Sequence, residues 1–153
     1  MNQGSKANYS GRKLEREVEL FLIGCGVESL KYSDYMDGMN NIVLKQPPYR
    51  SIYNNNSRLD FLLKLHGKDD IWIECKQQNV AGSVDEKLPY IMENAIHSLI
   101  NGKVIIILEG NGFKPGAVEY MKSRSKEIKH KDIKVFNLFE FKEWFKTFIR
   151  GGL

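Results

Sequence analysis

Two short runs of alternating side chains, joined by one tight turn, constrain this chain more than any other feature. Arg58 to His66 places Leu59, Phe61, Leu63 and Leu65 on one face and Arg58, Asp60, Leu62 and Lys64 on the other. Asp70 to Gln77 opposes Ile71, Ile73 and Cys75 to Trp72, Glu74 and Lys76. Such alternation marks a strand, because successive side chains leave a pleated backbone on opposite sides. Gly67-Lys68-Asp69 supplies the turn, so the two runs read as a β-hairpin.

Counting across that turn gathers three charged groups. A turn centred on Gly67 sets Asp60 opposite Glu74, and one centred on Lys68 sets Asp60 opposite Lys76. Either register leaves all three on one face. Leu62 and Trp72 share that face, so it is semi-buried, where charges are costly unless they serve a purpose. Paired carboxylates repel and need a cation to stay ionised. A hard divalent ion, Mg²⁺ or Mn²⁺, suits such an all-oxygen site. The Lys76 ammonium is then placed to lower the pKa of a bound water, to orient it, or to stabilise charge developing on a phosphate.

The flanking segments frame the hairpin. A helix is expected from about Gly11 to Cys25, capped by Ser10, with Leu14, Val18, Phe21, Leu22 and Cys25 on one stripe. Residues 1–9 read as a flexible arm and 10–153 as a single domain. A short strand spans Asn41 to Lys45, followed by a loop through Pro47-Pro48 and Asn54-Asn55-Asn56. Asp85 to Asn101 reads as a helix with Pro89 in its first turn, and Val104 to Leu108 as a strand buried on both faces. Helix, strand and helix follow over Pro115–Ile128, Ile133–Phe136 and Leu138–Ile149. The expectation is an α/β fold with a central mixed sheet flanked by helices.

Composition narrows the class. With 153 residues, 42% of them hydrophobic, the chain can bury one real core. No stretch approaches the roughly 18 apolar residues of a membrane span, and Met1–Lys6 does not resemble a signal peptide. Cys25 and Cys75 make no disulfide framework, so a reducing, cytoplasmic setting is expected. A net charge of +4 and a pI near 9.0 permit nucleic acid as a partner without requiring it. Gly110 to Gly116 lacks the Gly-Lys-Ser/Thr ending of a P-loop, and the three histidines lack zinc-ligand spacing with the cysteines.

Asp60, followed after thirteen residues by Glu74-Cys75-Lys76, resembles the bipartite signature of the PD-(D/E)XK nuclease superfamily. Leu59 stands where the motif's name has Pro. The resemblance implies a restriction-endonuclease-like αβββαβ core, here from the first helix to Leu108, with an extra C-terminal α-β-α. It implies that Asp60, Glu74 and the backbone carbonyl of Cys75 hold Mg²⁺ or Mn²⁺ and that Lys76 assists the attacking water. A third acid is often supplied by the first helix; Glu15, in Gly11-Arg12-Lys13-Leu14-Glu15, is favoured, although periodicity does not separate it from Glu17, while Glu19 points further out. A glutamine after the lysine occurs in several branches, and strand parity favours Gln78 over Gln77 as the site neighbour.

The function so implied is a metal-dependent DNA endonuclease, similar to small phage or prophage enzymes or Holliday-junction resolvases. It would select branched DNA and work as a homodimer, with no membrane partner. A sequence-specific restriction-type enzyme is the alternative. From other classes stand a non-catalytic nucleic-acid-binding module on the same fold and an interaction protein using the aromatic C-terminal helix. Candidate DNA contacts are Arg50, Tyr53, Asn55 and Arg58, in the loop leading to Asp60, together with Ser83, Lys87 and Lys114. The basic run from Lys122 to Lys134 reads as either a phosphate-facing surface or a solvated helix face.

Overall fold

A computed structural model describes the backbone of residues 3–98 and 101–151 and the side chains from Arg12 through those limits. The aliphatic run Val104–Leu108 lies inside β7 (Lys103–Glu109), and all five of its residues are buried. Burial of that kind requires cover on both faces, and the fold supplies it. Strands β1 (Glu28–Lys31), β2 (Ile42–Lys45), β5 (Phe61–Lys64), β6 (Ile71–Gln77), β7 and β8 (Ile133–Phe136) form one sheet in that spatial order. The pairs β1–β2, β6–β7 and β7–β8 are parallel, and β2–β5 and β5–β6 antiparallel. Strands β3 (Pro48–Arg50) and β4 (Asn56–Arg58) form a separate small hairpin.

Helices α1 (Gln3–Gly24) and α4 (Leu138–Gly151) cover one face. There Leu14, Val18 and Leu22 meet Ile73, Cys75, Ile105, Ile107, Phe141 and Phe145. Helices α2 (Leu88–His97) and α3 (Pro115–Glu127) cover the other, with Leu88, Met92, Ile96 and Met121 on Val104 and Ile106. Each side chain so buried contributes about 1.5–3 kcal/mol. Of the C-terminal aromatics, Phe141 and Phe145 are core, while Phe136, Trp144 and Phe148 pack at its margin. Phe139 faces outward, 71% exposed. The mixed sheet with helices on both sides is the architecture expected.

Several boundaries differ. Helix α1 begins at Gln3, so residues 3–9, expected as an arm, are helical, and Ser10 lies within the helix instead of capping it. That stretch has no apolar stripe for periodicity to detect. Strand β1 went unforeseen in the segment after Gly26, because it is a short edge strand with no buried residue. The run Arg58–His66 is broken at Leu59–Asp60, where the chain passes from β4 into β5. The helix expected over Asp85–Asn101 opens as a 3-10 turn, Val84–Lys87, before α2; Leu99 lies outside the described residues. Among the described residues no helix is long and apolar enough to cross a membrane.

Candidate active site

Strands β5 and β6 pair through Phe61↔Ile73, Leu62↔Trp72 and Leu63↔Ile71. Continued one step, that register sets Asp60 opposite Glu74, the arrangement that a turn centred on Gly67 requires. Gly67 adopts φ 72°, a left-handed conformation that glycine takes without strain. The ladder stops there, and the Cys75 N–H donates to Asp60 Oδ2 at 2.7 Å. Farther along β6, the Gln78 N–H donates to the Glu109 carbonyl, toward β7. Peptide groups alternate sides along a strand, so the Cys75 carbonyl faces the same edge as Asp60.

Helix α1 brings a third acid to this edge. Glu15 follows the buried Leu14 and lines a cleft with Asp60 and Phe61, whereas Glu17 does not. Asp60 lies within hydrogen-bonding reach of both Glu15 and Glu74. Burial, followed by the Asp60 charge and that shared hydrogen bond, pushes the Glu15 carboxyl up to about 7. Burial also raises Glu74 well above the usual carboxylate range, with Asp60 and then Glu15 adding to it. The Lys76 ammonium opposes both shifts, which places its positive charge among the three acids.

Other residues fall differently. Glu19, expected to point outward, is only 6% exposed. Its carboxylate accepts from Ser29 Oγ and Arg16 Nη1, both at 2.6 Å, and pairs with Lys45 at 3.4 Å. Gln78 shares the strand parity of Glu74 and Lys76, but its carboxamide is committed elsewhere. Its Nε2 donates to the Gly112 carbonyl and Asp85 Oδ2, and its Oε1 accepts from the Val84 N–H. Gln78 therefore ties down the loop after β6 and does not present its amide to the carboxylates.

The proposed nucleic-acid contacts divide among separate places. Arg58 lines a cleft with Lys31, Tyr32 and Gln46. Arg50 lines another with Asn54 and His97 and donates to the Asn54 carbonyl. Asn55 is exposed, and Tyr53, 69% exposed, stacks on Tyr90 at 5.2 Å. Asn94 fixes this loop by accepting the Ile52 N–H. Ser83, Lys87 and Lys114 are exposed, and Asp85 draws their segments together by accepting the Lys114 N–H. Arg12, Arg16, Lys45 and Gln46 line the cleft beside Asp60 and are not among the residues expected to contact nucleic acid.

Among the described residues, no group of three or more His, Cys, Asp and Glu side chains forms a ready-made metal cage. Two carboxylates and the Cys75 carbonyl on one edge nevertheless suit a small divalent cation, which keeps several waters in its shell. The raised carboxyls fit the same reading, since a cation would offset their mutual repulsion.

No curated protein and no solved structure matches the chain significantly. The family model for a PD-(D/E)XK nuclease superfamily domain matches residues 6–149, which takes in Glu15, Asp60, Glu74 and Lys76, the whole of α2 and α3 and most of α1 and α4. With nearly its whole length so matched, the chain belongs to the PD-(D/E)XK nuclease superfamily.

Proposed function

We propose that this nuclease domain is a DNA endonuclease that uses Mg²⁺ or Mn²⁺. The observation that carries the reading is Asp60, anchored by the Cys75 N–H and set against Glu15 and Glu74 beside Lys76. Asp60, Glu74 and the Cys75 carbonyl would hold the ion, with Glu15 holding it or its hydration shell. The bound ion would supply a water of lowered pKa and positive charge against the phosphate. Lys76 donates to the attacking water and keeps its oxygen directed at phosphorus. As the new P–O bond forms, the bond to the leaving sugar oxygen breaks.

Branched DNA is the favoured substrate, because nothing in the sequence resembles a dedicated base-reading element. A domain this small carries one site, so cutting both strands of a duplex calls for two copies of the chain. The experiment incubates the protein with plasmid, linear, single-stranded and four-way-junction DNA, with Mg²⁺, with Mn²⁺ or with EDTA. Metal-dependent cuts, strongest on the junction and lost in Lys76→Ala, are the expected result. Binding without cleavage under every condition would leave a non-catalytic module instead.

A further inference from the structure

Two clefts meet beside Asp60. One, of about 180 Å³, is lined by Arg12, Arg16, Lys45 and Gln46 together with Glu15 and Asp60. The other, of about 440 Å³, is lined by Lys31, Tyr32, Lys45, Gln46 and Arg58. Because Lys45 and Gln46 line both, the clefts form one trough running from the carboxylates to the edge strand β1.

The trough gathers cations from α1, β1, β2 and β4. In the basic run of the last third, three of the six lysines and arginines are paired with acids: Lys122 with Glu140, Arg124 with Glu93 and Glu127, and Lys134 with Asp132. Among the described residues no ion pair involves Arg12, Lys31 or Arg58. Arg16 and Lys45 are held by the buried Glu19, which Ser29 fixes from β1. An arginine and a lysine each keep further donors after one such bond. Glu19 thus acts as a positioning residue that turns two flexible cations into fixed ones.

Gln46, at the junction, adopts φ 57°, a left-handed conformation costly for a residue with a side chain. Its N–H donates to the Asp60 carbonyl at 3.0 Å, so the strained turn joins the trough floor to the site.

We propose that this trough, from Arg12 and Arg16 through Lys45 to Lys31 and Arg58, seats the phosphodiester backbone of the nucleic-acid strand being cut. The assignment rests on the nuclease reading and adds the direction in which the strand leaves the site. It makes the α1–β1 side the main source of affinity and excludes the basic run from Lys122 to Lys134 from that role.

Anisotropy of a fluorescein-labelled oligonucleotide in EDTA, titrated with KCl, tests it without needing cleavage. Each lost phosphate contact lowers the slope of log affinity against log salt by about 0.7 on single strands and about 0.9 on duplex. Lys45→Ala/Arg58→Ala should therefore lower it by about 1.4 to 1.8. Lys45→Met/Arg58→Met, which keeps the apolar stems, should do the same if the alanine pair fails to fold. Lys126→Ala/Lys129→Ala should leave the slope unchanged. An unchanged slope in the trough variants, a fall in the last pair, or a parent that binds no oligonucleotide overturns the proposal. Cleavage is scored separately with Mg²⁺ and Mn²⁺. A parent that never cuts, yet loses slope in the trough variants, sinks the nuclease reading and leaves the trough. A parent that cuts, with trough variants binding and cutting like it, does the reverse.

Discussion

The N–H of Cys75 donates to Asp60 Oδ2 at 2.7 Å where the β5–β6 ladder has just ended. A backbone donor that would otherwise have lost its strand partner thus orients the carboxylate. Asp60 sits in the bend just before β5, and β6 holds its carboxylate through that bond. Asp60→Asn keeps the shape and an acceptor for Cys75 but removes the charge shared with Glu15 and Glu74. Cleavage is expected to fall by about 10³-fold or more, several kcal/mol of transition-state stabilisation. Thermal stability should be equal or higher, because repulsion is relieved. Plasmid nicking and a melting curve measure the two effects, and near-parental nicking would remove Asp60 from the site.

Glu15 gives the metal-free protein a pH dependence of definite sign. Its carboxyl is raised in the fold to about 7, chiefly by burial and then by Asp60. Between its unfolded value near 4.5 and about 7 the folded state binds the extra proton. Its contribution to stability is therefore full below that window and is lost as pH rises through it. Glu15→Gln should melt higher than the parent at pH 8 in EDTA and alike at pH 4. The gain is on the order of 1 kcal/mol, discounted for the solvent screening that a partly exposed group retains. Equal melting at both pH values would show that Glu15 is not perturbed.

The same raised carboxyl couples metal binding to protons. A ligand carboxylate must be ionised, so a site whose Glu15 is half-protonated near pH 7 releases a proton as the ion enters. Apparent Mg²⁺ or Mn²⁺ affinity should rise with pH through about 7, by about tenfold or more per unit, since the Glu74 carboxyl is raised as well. Calorimetry at pH 6.5 in two buffers of different ionisation enthalpy reads the released proton directly. Identical heats in both buffers would separate Glu15 from the ion.

Sequence reasoning reached the parts of this site that follow from local pattern. Alternation gave both strands of the hairpin and put the three charges on one face, while the choice between the two registers came only with the structure, which centres the turn on Gly67. What it missed depends on partners far along the chain. Glu19 looked solvent-facing from helical spacing, yet Ser29 and Lys45, from β1 and β2, enclose it. Gln78 looked like a site neighbour from strand parity, yet Gly112 lies 34 residues away and takes its amide. Strand β1 escaped because an exposed parallel edge needs no apolar alternation. The first turns of α1 escaped because they carry none.

Glu19 should stabilise the fold as an ion. Burial pushes its carboxyl up, but bonds from Ser29 and Arg16 and the charge of Lys45 outweigh that, and the net shift is downward. Stability from this group is present above the ordinary value of 4.5 and is lost as pH falls through the lower folded one. The side chains of Arg16 and Lys45 are 63% and 41% exposed, so solvent screens their Coulomb contribution, and the Ser29 bond carries most of the effect. Glu19→Ala should cost about 2 kcal/mol at pH 7, the range for a hydrogen bond to a charged group plus an abandoned hydroxyl. That cost should shrink at pH 3. Urea melts at the two pH values decide, and a cost that does not depend on pH would make the contribution one of packing.

Gln78 is expected to matter for the fold and not for the reacting groups. Its side chain satisfies the Val84 N–H and the Gly112 carbonyl, and its own carbonyl accepts the Gly112 N–H at 2.7 Å. Gly110 is part of the same joint. At φ +108°, a Cβ there would lie 2.4 Å from the Gln78 carbonyl oxygen, so no other residue fits without moving the end of β6. Gln78→Ala leaves a buried donor and a buried acceptor unpaired, at a cost of about 2–3 kcal/mol. Amide exchange over residues 79–86 should quicken, while cleavage per folded molecule stays within about threefold of the parent, as expected for a group outside the reacting set. A variant with parental stability and exchange but no cleavage would return Gln78 to the chemistry.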